Sequence, residues 1–110
     1  MGYPDTSTVI VVREIYNDDN DPIGGTEHPL RGCRVAARLP KADNSDTGER
    51  VVAAVDVYHP DRGVDVRGTD RARLPGDSAT GRARWTVEGE PARSPWPDGG
   101  CVFVLQREHG

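Results

Sequence analysis

The sequence predicts an all-β protein, a small single-domain β-barrel of about six or seven short strands with long loops over residues 1–110. Thirteen valines against four leucines favour pleated, half-buried strands. Nine prolines and thirteen glycines divide the chain into short elements. Several segments alternate apolar and polar residues with a period of two, which is typical of strands with one buried face. A small, closed or nearly closed barrel satisfies all three observations.

The composition is that of one globular domain. Hydrophobic residues make up 35% of the chain, and the glycines bring the usual apolar tally to about 47%, within the ordinary range. The amino-terminal stretch MGYPDTSTV lacks a basic region followed by an apolar run. No apolar stretch approaches the roughly 20 residues of a membrane span. We therefore expect a protein made in the cytoplasm with no membrane partner.

The first half of the chain predicts three strands separated by two polar loops. The β-branched run at 8–16 predicts the first strand, and the alternation around Cys33 predicts the second with that thiol pointing inward. Asn, Asp, Pro and Gly between them predict a long acidic loop. The predicted elements are strands at 8–16, 30–40 and 50–58, the acidic loop at 17–29 and a polar loop at 41–49.

The second half predicts two narrow strands and two longer ones. Trp85 alternates with Ala83 and Val87, which places its indole in the core. The last strand is apolar on both faces until Gln106, which predicts cover on both sides. The predicted strands are 64–66, 72–74, 81–90 and 101–107.

The stretch WTVEGEPARSPWP contains both tryptophans of the chain. Gly89 and Pro91 are expected to end the strand after Glu88, because proline cannot donate to a sheet ladder. The prolines that flank Trp96 stiffen the segment that carries it. We therefore expect Trp96 to lie as a lid over one end of the barrel.

The residue types that carry catalysis or bind metals do not converge in the sequence. Cys33 and Cys101 are far apart, with no CxxC pair and no histidine at metal-ligand spacing, so both are expected to be buried thiols. No serine lies in a nucleophile-elbow context. The run NDDND lacks the spacing of a calcium loop. These patterns indicate a protein that is not an enzyme and that holds no cofactor or metal.

Charge is unevenly distributed over a chain of net charge −4. Residues 1–29 carry six acids against one arginine, and residues 62–84 carry six arginines against three aspartates. Opposite charge on two parts of one small domain suits head-to-tail contact between identical copies. The candidate subunit interface consists of Arg62, Arg67, Arg71, Arg73, Arg82 and Arg84.

One motif carries a resemblance to a known family. The pattern W-x-V-x-G-x-P is followed by a second tryptophan and a glycine turn into VFVLQR; its members are Trp85, Val87, Gly89, Pro91 and Trp96. This stretch resembles the small head-to-tail stopper (head completion, head closure) proteins of long-tailed bacteriophages. The chain has thirteen arginines and one lysine. This ratio is similar to that of proteins encoded by GC-rich genomes, such as those of actinobacteriophages.

The resemblance implies a structural virion protein in the neck, at the head-tail junction. Such a protein assembles with itself into a ring, a hexamer or dodecamer, between the adaptor and portal complex and the tail terminator and tail tube. It closes the portal channel after packaging, offers a docking face to the tail and touches packaged DNA only passively.

The resemblance also implies a loop that projects into the channel. Two segments are candidates, residues 17–29 and residues 40–50. Acidic side chains that line a channel would repel DNA phosphates, which favours the first. Its acids are Asp18, Asp19, Asp21 and Glu27.

Two alternatives belong to other classes of protein. An OB-like nucleic-acid-binding barrel would use the arginines of residues 62–84, although the net acidity of the chain and the scarcity of aromatic residues speak against it. Another neck or tail component, such as a tail-terminator ring, would be a mixed α/β protein.

Overall fold

The computed structural model describes residues 6–38 and 52–108, which form a closed antiparallel barrel of six strands. The all-β barrel predicted from the sequence is confirmed, and the described residues contain no helix long and apolar enough to cross a membrane. The strand order around the barrel is β1-β2-β3-β6-β5-β4. The strands are β1 (Ser7–Tyr16), β2 (Pro22–Arg38), β3 (Val52–His59), β4 (Arg71–Arg73), β5 (Trp85–Arg93) and β6 (Cys101–Glu108).

The core consists of the alternate residues of the strands, as the period-two pattern requires. Both thiols, which were expected to point inward, are fully buried. Trp85 is buried as predicted, and the guanidinium of Arg107 lies over its ring, 5.1 Å from the centroid. The other strand residues of the core are Val9, Val11, Leu30, Val35, Val55, Val57, Ala72, Val87, Phe103 and Leu105.

The prediction of a long acidic loop at 17–29 is wrong. The side-chain oxygen Oδ1 of Asn17 accepts hydrogen bonds from the backbone N–H groups of Asp19 and Asp21, both at 2.9 Å, which makes a compact turn. Strand β2 then begins at Pro22 and pairs antiparallel with β1, with register shifts between Ile15 and Tyr16 and between Ser7 and Val9. Proline and glycine are tolerated here because the outer side of this part of β2 has no neighbouring strand.

Two predicted strand assignments in the second half are also wrong. Val64 and Val66 are buried, but residues 60–70 form an irregular segment and no strand. Strand β5 begins at Trp85, so Arg82 and Arg84 precede the strand in a second irregular segment, residues 74–84. Periodicity alone could not separate buried irregular chain from a short strand.

Strand β5 does not end at Gly89, contrary to the prediction. It continues to Arg93 through an irregularity in its pairing with β6 between Glu88 and Ala92. Gly89 has a φ of 70°, a conformation that glycine adopts without steric cost. Pro91 therefore lies where the pairing of β5 with β6 is interrupted. No backbone N–H is needed there for a ladder hydrogen bond.

The expected cover over the barrel is absent at two described positions. The Trp96 side chain is 69% exposed, so it is not a lid. Val102 is 42% exposed. The sequence predicts that both faces of β6 are covered, and at this position the outer face is not. The second candidate channel segment, residues 40–50, lies outside the described residues.

We expect the two tryptophans to differ sharply in their contribution to stability. Trp85→Ala should lower the free energy of unfolding by about 3 to 5 kcal/mol, since a large core side chain is lost. Trp96→Ala, the matched control on the surface, should change it by no more than about 0.5 kcal/mol. Urea denaturation of both variants measures the difference, and equal effects would contradict the assignment of Trp85 to the core.

The buried thiols should be chemically inert in the folded protein. Burial raises the pKa of Cys33 to about 11, and burial also raises the pKa of Cys101. Alkylation by iodoacetamide should be slow until denaturant exposes both thiols. Because the folded-state pKa of Cys33 exceeds its ordinary value of 9.0, this thiol's contribution to stability is complete below that pH and decreases as pH rises towards 11. Labelling at equal rates with and without denaturant would contradict this prediction.

Candidate functional site

The tip of the β1–β2 hairpin projects beyond the barrel wall. The pairing of β1 with β4 ends at Val12, and β2 meets β3 only from Arg34 onward. Residues 13–16 and 22–26 therefore pair only with each other, around the turn at 17–21. We call residues 13–27 the hairpin arm. Four residues of antiparallel strand beyond the barrel correspond to a projection of roughly 14 Å.

One face of the arm is held by the irregular segment at 60–70. The guanidinium of Arg13 donates to both carboxylate oxygens of Asp70, from Nε at 2.9 Å and from Nη2 at 2.8 Å. Asp70 is 1% exposed and also accepts the backbone N–H of Arg67 at 2.8 Å. A second carboxylate, Asp65, accepts from Arg13 Nη2 at 2.9 Å. The hydrogen bonds that Arg13 donates to Asp70 and Asp65 raise the pKa of Arg13, and its guanidinium in turn lowers the pKa of Asp65.

The opposite face of the arm is held by the irregular segment at 74–84. Glu14 accepts from Arg82 Nη2 at 3.1 Å and from the hydroxyl of Tyr16 at 2.9 Å. Both hydrogen bonds lower the pKa of Glu14, and the one from Arg82 has the larger effect. Glu27 accepts from Arg73 Nη2 at 3.3 Å. Ion pairs on both faces thus fix the base of the arm against the barrel.

Most of the candidate interface arginines bind acceptors of the same chain. Arg71 donates twice to the carbonyl of Ala83, at 2.9 and 2.6 Å. Arg73 donates to the carbonyls of Ser78 and Gly81. Arg62 donates to the carbonyl of Pro95, and Arg82 binds Glu14. The side chains of Arg67 and Arg84 make no hydrogen bond or ion pair within the described part of the chain.

The candidate channel acids separate into two places. Asp18, Asp19 and Asp21 lie together and exposed in the turn of the arm, and their carboxylates form no ion pair with a described residue. Glu27 lies nearer the base of the arm, paired with Arg73. The acidic turn is thus five residues long and carried on paired strands.

Apolar side chains flank the acidic turn, and the sequence analysis missed them. Ile15, Tyr16 and Ile23 are about half exposed or more. The sequence signal was an apolar pair immediately before the turn and an isoleucine just after it. The sequence pattern assigns the pair to the end of a strand and the isoleucine to the interior of a loop, so it does not show that all three side chains lie beside the same turn.

The motif residues occupy the core and one turn. Trp85 and Val87 are buried, whereas Gly89 and Pro91 lie at the irregular pairing of β5. Trp96 lies in the connection between β5 and β6. The backbone N–H of Ser94 donates to the carbonyl of Gly100 at 2.9 Å and closes this connection.

The described residues contain no group of three or more His, Cys, Asp or Glu side chains placed to hold a metal. A cavity of about 460 Å³ lies beside Ser7, Ile10 and Leu74 and has a mostly apolar lining. The Ser7 hydroxyl there has no hydrogen-bond partner in the described chain. The arrangement as a whole is suited to protein contact, with a projecting arm whose base is fixed.

Comparisons with known proteins give no relative for this fold and site. A scan against family models finds no match, and searches of curated proteins and of solved structures also find none.

The carboxylate of Asp70 should be far more important for stability than an exposed carboxylate with an equally short ion pair. Asp70→Asn should cost about 3 kcal/mol, because a buried charge pair loses one partner while Arg13 keeps only Asp65. Asp56→Asn is the matched control, since Asp56 and Arg38 form a 2.6 Å pair that is 40% and 51% exposed. It should cost less than about 1 kcal/mol. The midpoints of urea denaturation, at an unchanged slope of free energy against urea concentration, measure the effect of both variants. Similar midpoint shifts in the two variants would contradict the role of Asp70.

Proposed function

We propose that this protein is a head-to-tail stopper of a tailed bacteriophage, a structural component of the virion neck that assembles as a ring. The resemblance of the segment from Trp85 to Trp96 to that family motivates the proposal. In the barrel this segment provides a core strand, an interrupted ladder and an exposed turn.

The observation that carries the proposal is the placement of the exposed apolar side chains on a closed barrel. The strands close into a barrel, and an unpaired strand edge runs along the outer side of β2 in the hairpin arm, so contact uses side chains and the edges of the arm. All six large apolar side chains that the described residues expose gather in two places, the arm and the wall opposite β1. A ring subunit needs two different surfaces, one for each neighbour.

The acidic turn is a weaker candidate for the channel-closing loop than the sequence suggested. A loop of thirteen residues could reach across a channel, but the turn between the paired strands spans only residues 17–21. The other candidate, residues 40–50, lies outside the part of the chain that the structure describes.

The two alternative functions have less support. An OB-like nucleic-acid-binding barrel needs arginines that face solvent with free donors. Of the six in residues 62–84, Arg71 and Arg73 are not exposed, and Arg62 and Arg82 are exposed but donate to acceptors of the same chain. A mixed α/β tail-terminator ring needs helix, and the described residues form strands and irregular segments.

The test is to locate the protein in particles and to delete its gene from the genome that encodes it. We expect gold-labelled antibody at the head-tail junction, and we expect the deletion to yield DNA-filled heads that leak and separate tails. Supplying the wild-type gene in trans is the control and should restore joined particles. Normal particles from the deletion, or label elsewhere on the virion, would overturn the proposal.

A further inference from the structure

The exposed large apolar side chains of the described residues form two groups on opposite parts of the barrel. The first group lies on the hairpin arm, next to the acidic turn. The second lies on the outer wall of β3 and β6 and in the connection that follows β5, and we call it the opposite face. The groups are Ile15, Tyr16 and Ile23 on the arm, and Tyr58, Trp96 and Val102 on the opposite face.

The opposite face is a built surface and not a chance exposure of single side chains. Tyr58 on β3 lies directly across from Arg34 on β2 and from Val102 on β6, so the three side chains form one row over adjacent strands. Gly100 packs against the Tyr58 ring, where a Cβ atom would come within 2.8 Å of Cε1. A side chain at Gly100 would collide with this ring and with the backbone carbonyl of His59, so the close approach requires glycine.

Trp96 extends the same surface on a hydrogen-bonded turn. Its carbonyl accepts the backbone N–H of Gly99 at 3.0 Å, and its own N–H donates to the hydroxyl of Ser94 at 3.0 Å. Arg62 holds the turn from outside through the carbonyl of Pro95 at 3.0 Å. A large indole on a fixed turn is the kind of side chain that dominates protein interfaces, because little entropy is lost when it is buried.

The two groups carry complementary charge. The arm presents Asp18, Asp19 and Asp21, whose carboxylates have no ion-pair partner in the described chain. The opposite face presents Arg34, which likewise pairs with no described carboxylate, and Arg62, whose described contact is to a carbonyl; its exposed acids, Asp98 and Glu88, lie in the Trp96 turn and on β5, away from Arg34 on β2. An acidic turn flanked by apolar side chains thus matches the Arg34 end of the row.

The two surfaces of one subunit cannot meet each other. In the order β1-β2-β3-β6-β5-β4, strands β1 and β6 are three strands apart in either direction. The base of the arm is fixed by Arg13 on one face and by Glu14 on the other, so the arm cannot fold back around the barrel. A contact between the two surfaces joins different copies, and it leaves one copy with an unused opposite face and the other with an unused arm.

We propose that the hairpin arm of one copy of this chain docks on the opposite face of the next copy, with the acidic turn beside Arg34. The inference rests on the proposed function, because the ring is the reason for naming a second copy as the docking partner. It adds which two surfaces meet. An arm held in this way is not available to close a channel.

Directed cross-linking of the full chain tests the contact. One variant carries Ile23→Cys on the arm, and the other carries Ala92→Cys, an exposed position on β5 directly opposite Val102. The two native thiols are fully buried and do not compete. A short bifunctional maleimide should join the mixed variants several-fold more efficiently than a mixture of Ile23→Cys with Ala79→Cys, a matched exposed alanine outside both groups.

The pattern of products decides whether the contact is head-to-tail. A chain that carries both Ile23→Cys and Ala92→Cys should give a ladder that extends beyond the dimer. Yields equal to the Ala79→Cys control, or a preferred Ile23→Cys homodimer, overturn the proposal. Binding of the arm to a different protein would give the first of these results.

The charge component has its own variant. Neutralising Asp18, Asp19 and Asp21 to Asn in the Ile23→Cys chain should lower the yield with Ala92→Cys several-fold, and Arg34→Gln in the partner chain should do the same. An unchanged yield in both overturns the pairing of the acidic turn with Arg34. If the cross-link fails but the protein is found in the neck, only this contact is refuted. If the cross-link is strong but the particles lack the protein, the neck function is refuted.

Discussion

Guanidinium groups that donate to backbone carbonyls hold the two irregular segments on the barrel, and the rest of the structure depends on these contacts. Arg93 donates to the carbonyls of Arg62, Val64 and Val66, at 2.6 to 2.9 Å. Arg71 and Arg73 do the same for the segment at 74–84. Carbonyls in irregular chain have no ladder partner, and each one buried without a donor would cost about 1 to 3 kcal/mol. These contacts allow a strand of three residues, β4, to close the barrel.

The position of the arm follows from the same contacts. Once the segments are held, Asp70 and Asp65 face Arg13 on one side, and Arg82 faces Glu14 on the other. A two-stranded hairpin alone is marginally stable in water, so a projecting arm needs support of this kind. The buried pair of Arg13 and Asp70 provides the stronger support, since exposed pairs contribute little.

This use of arginine bears on function. Arginines that bind the carbonyls and carboxylates of their own subunit have fewer donors left for phosphate groups. The remaining contact chemistry is apolar side chains with acids at one place and arginines at another. That combination favours specific association between proteins, where apolar burial contributes affinity and complementary charge sets the register. It is the physical basis for proposing a ring-forming subunit.

The barrel class, the inward thiols and the buried Trp85 could be predicted because they depend on local alternation. A residue two positions from Val87 on a strand shares its face wherever that strand lies. The arm could not be predicted, because glycine and proline in residues 22–29 indicate a loop until β1 is available as a partner. The exposure of Trp96 was missed for a related reason, since the flanking prolines restrict the backbone but do not determine what covers the indole.

The sequence by itself determined which residues alternate, where the charges lie along the chain and that short strands would form a barrel. The tertiary structure decided which charges neutralise each other, because Arg13 meets Asp70 across 57 positions and Glu14 meets Arg82 across 68. It also decided that the six exposed apolar side chains lie in two regions of the barrel, three on the arm and three on the opposite face. Distances between residues far apart in sequence are set by the closure of the barrel, and no local pattern encodes them.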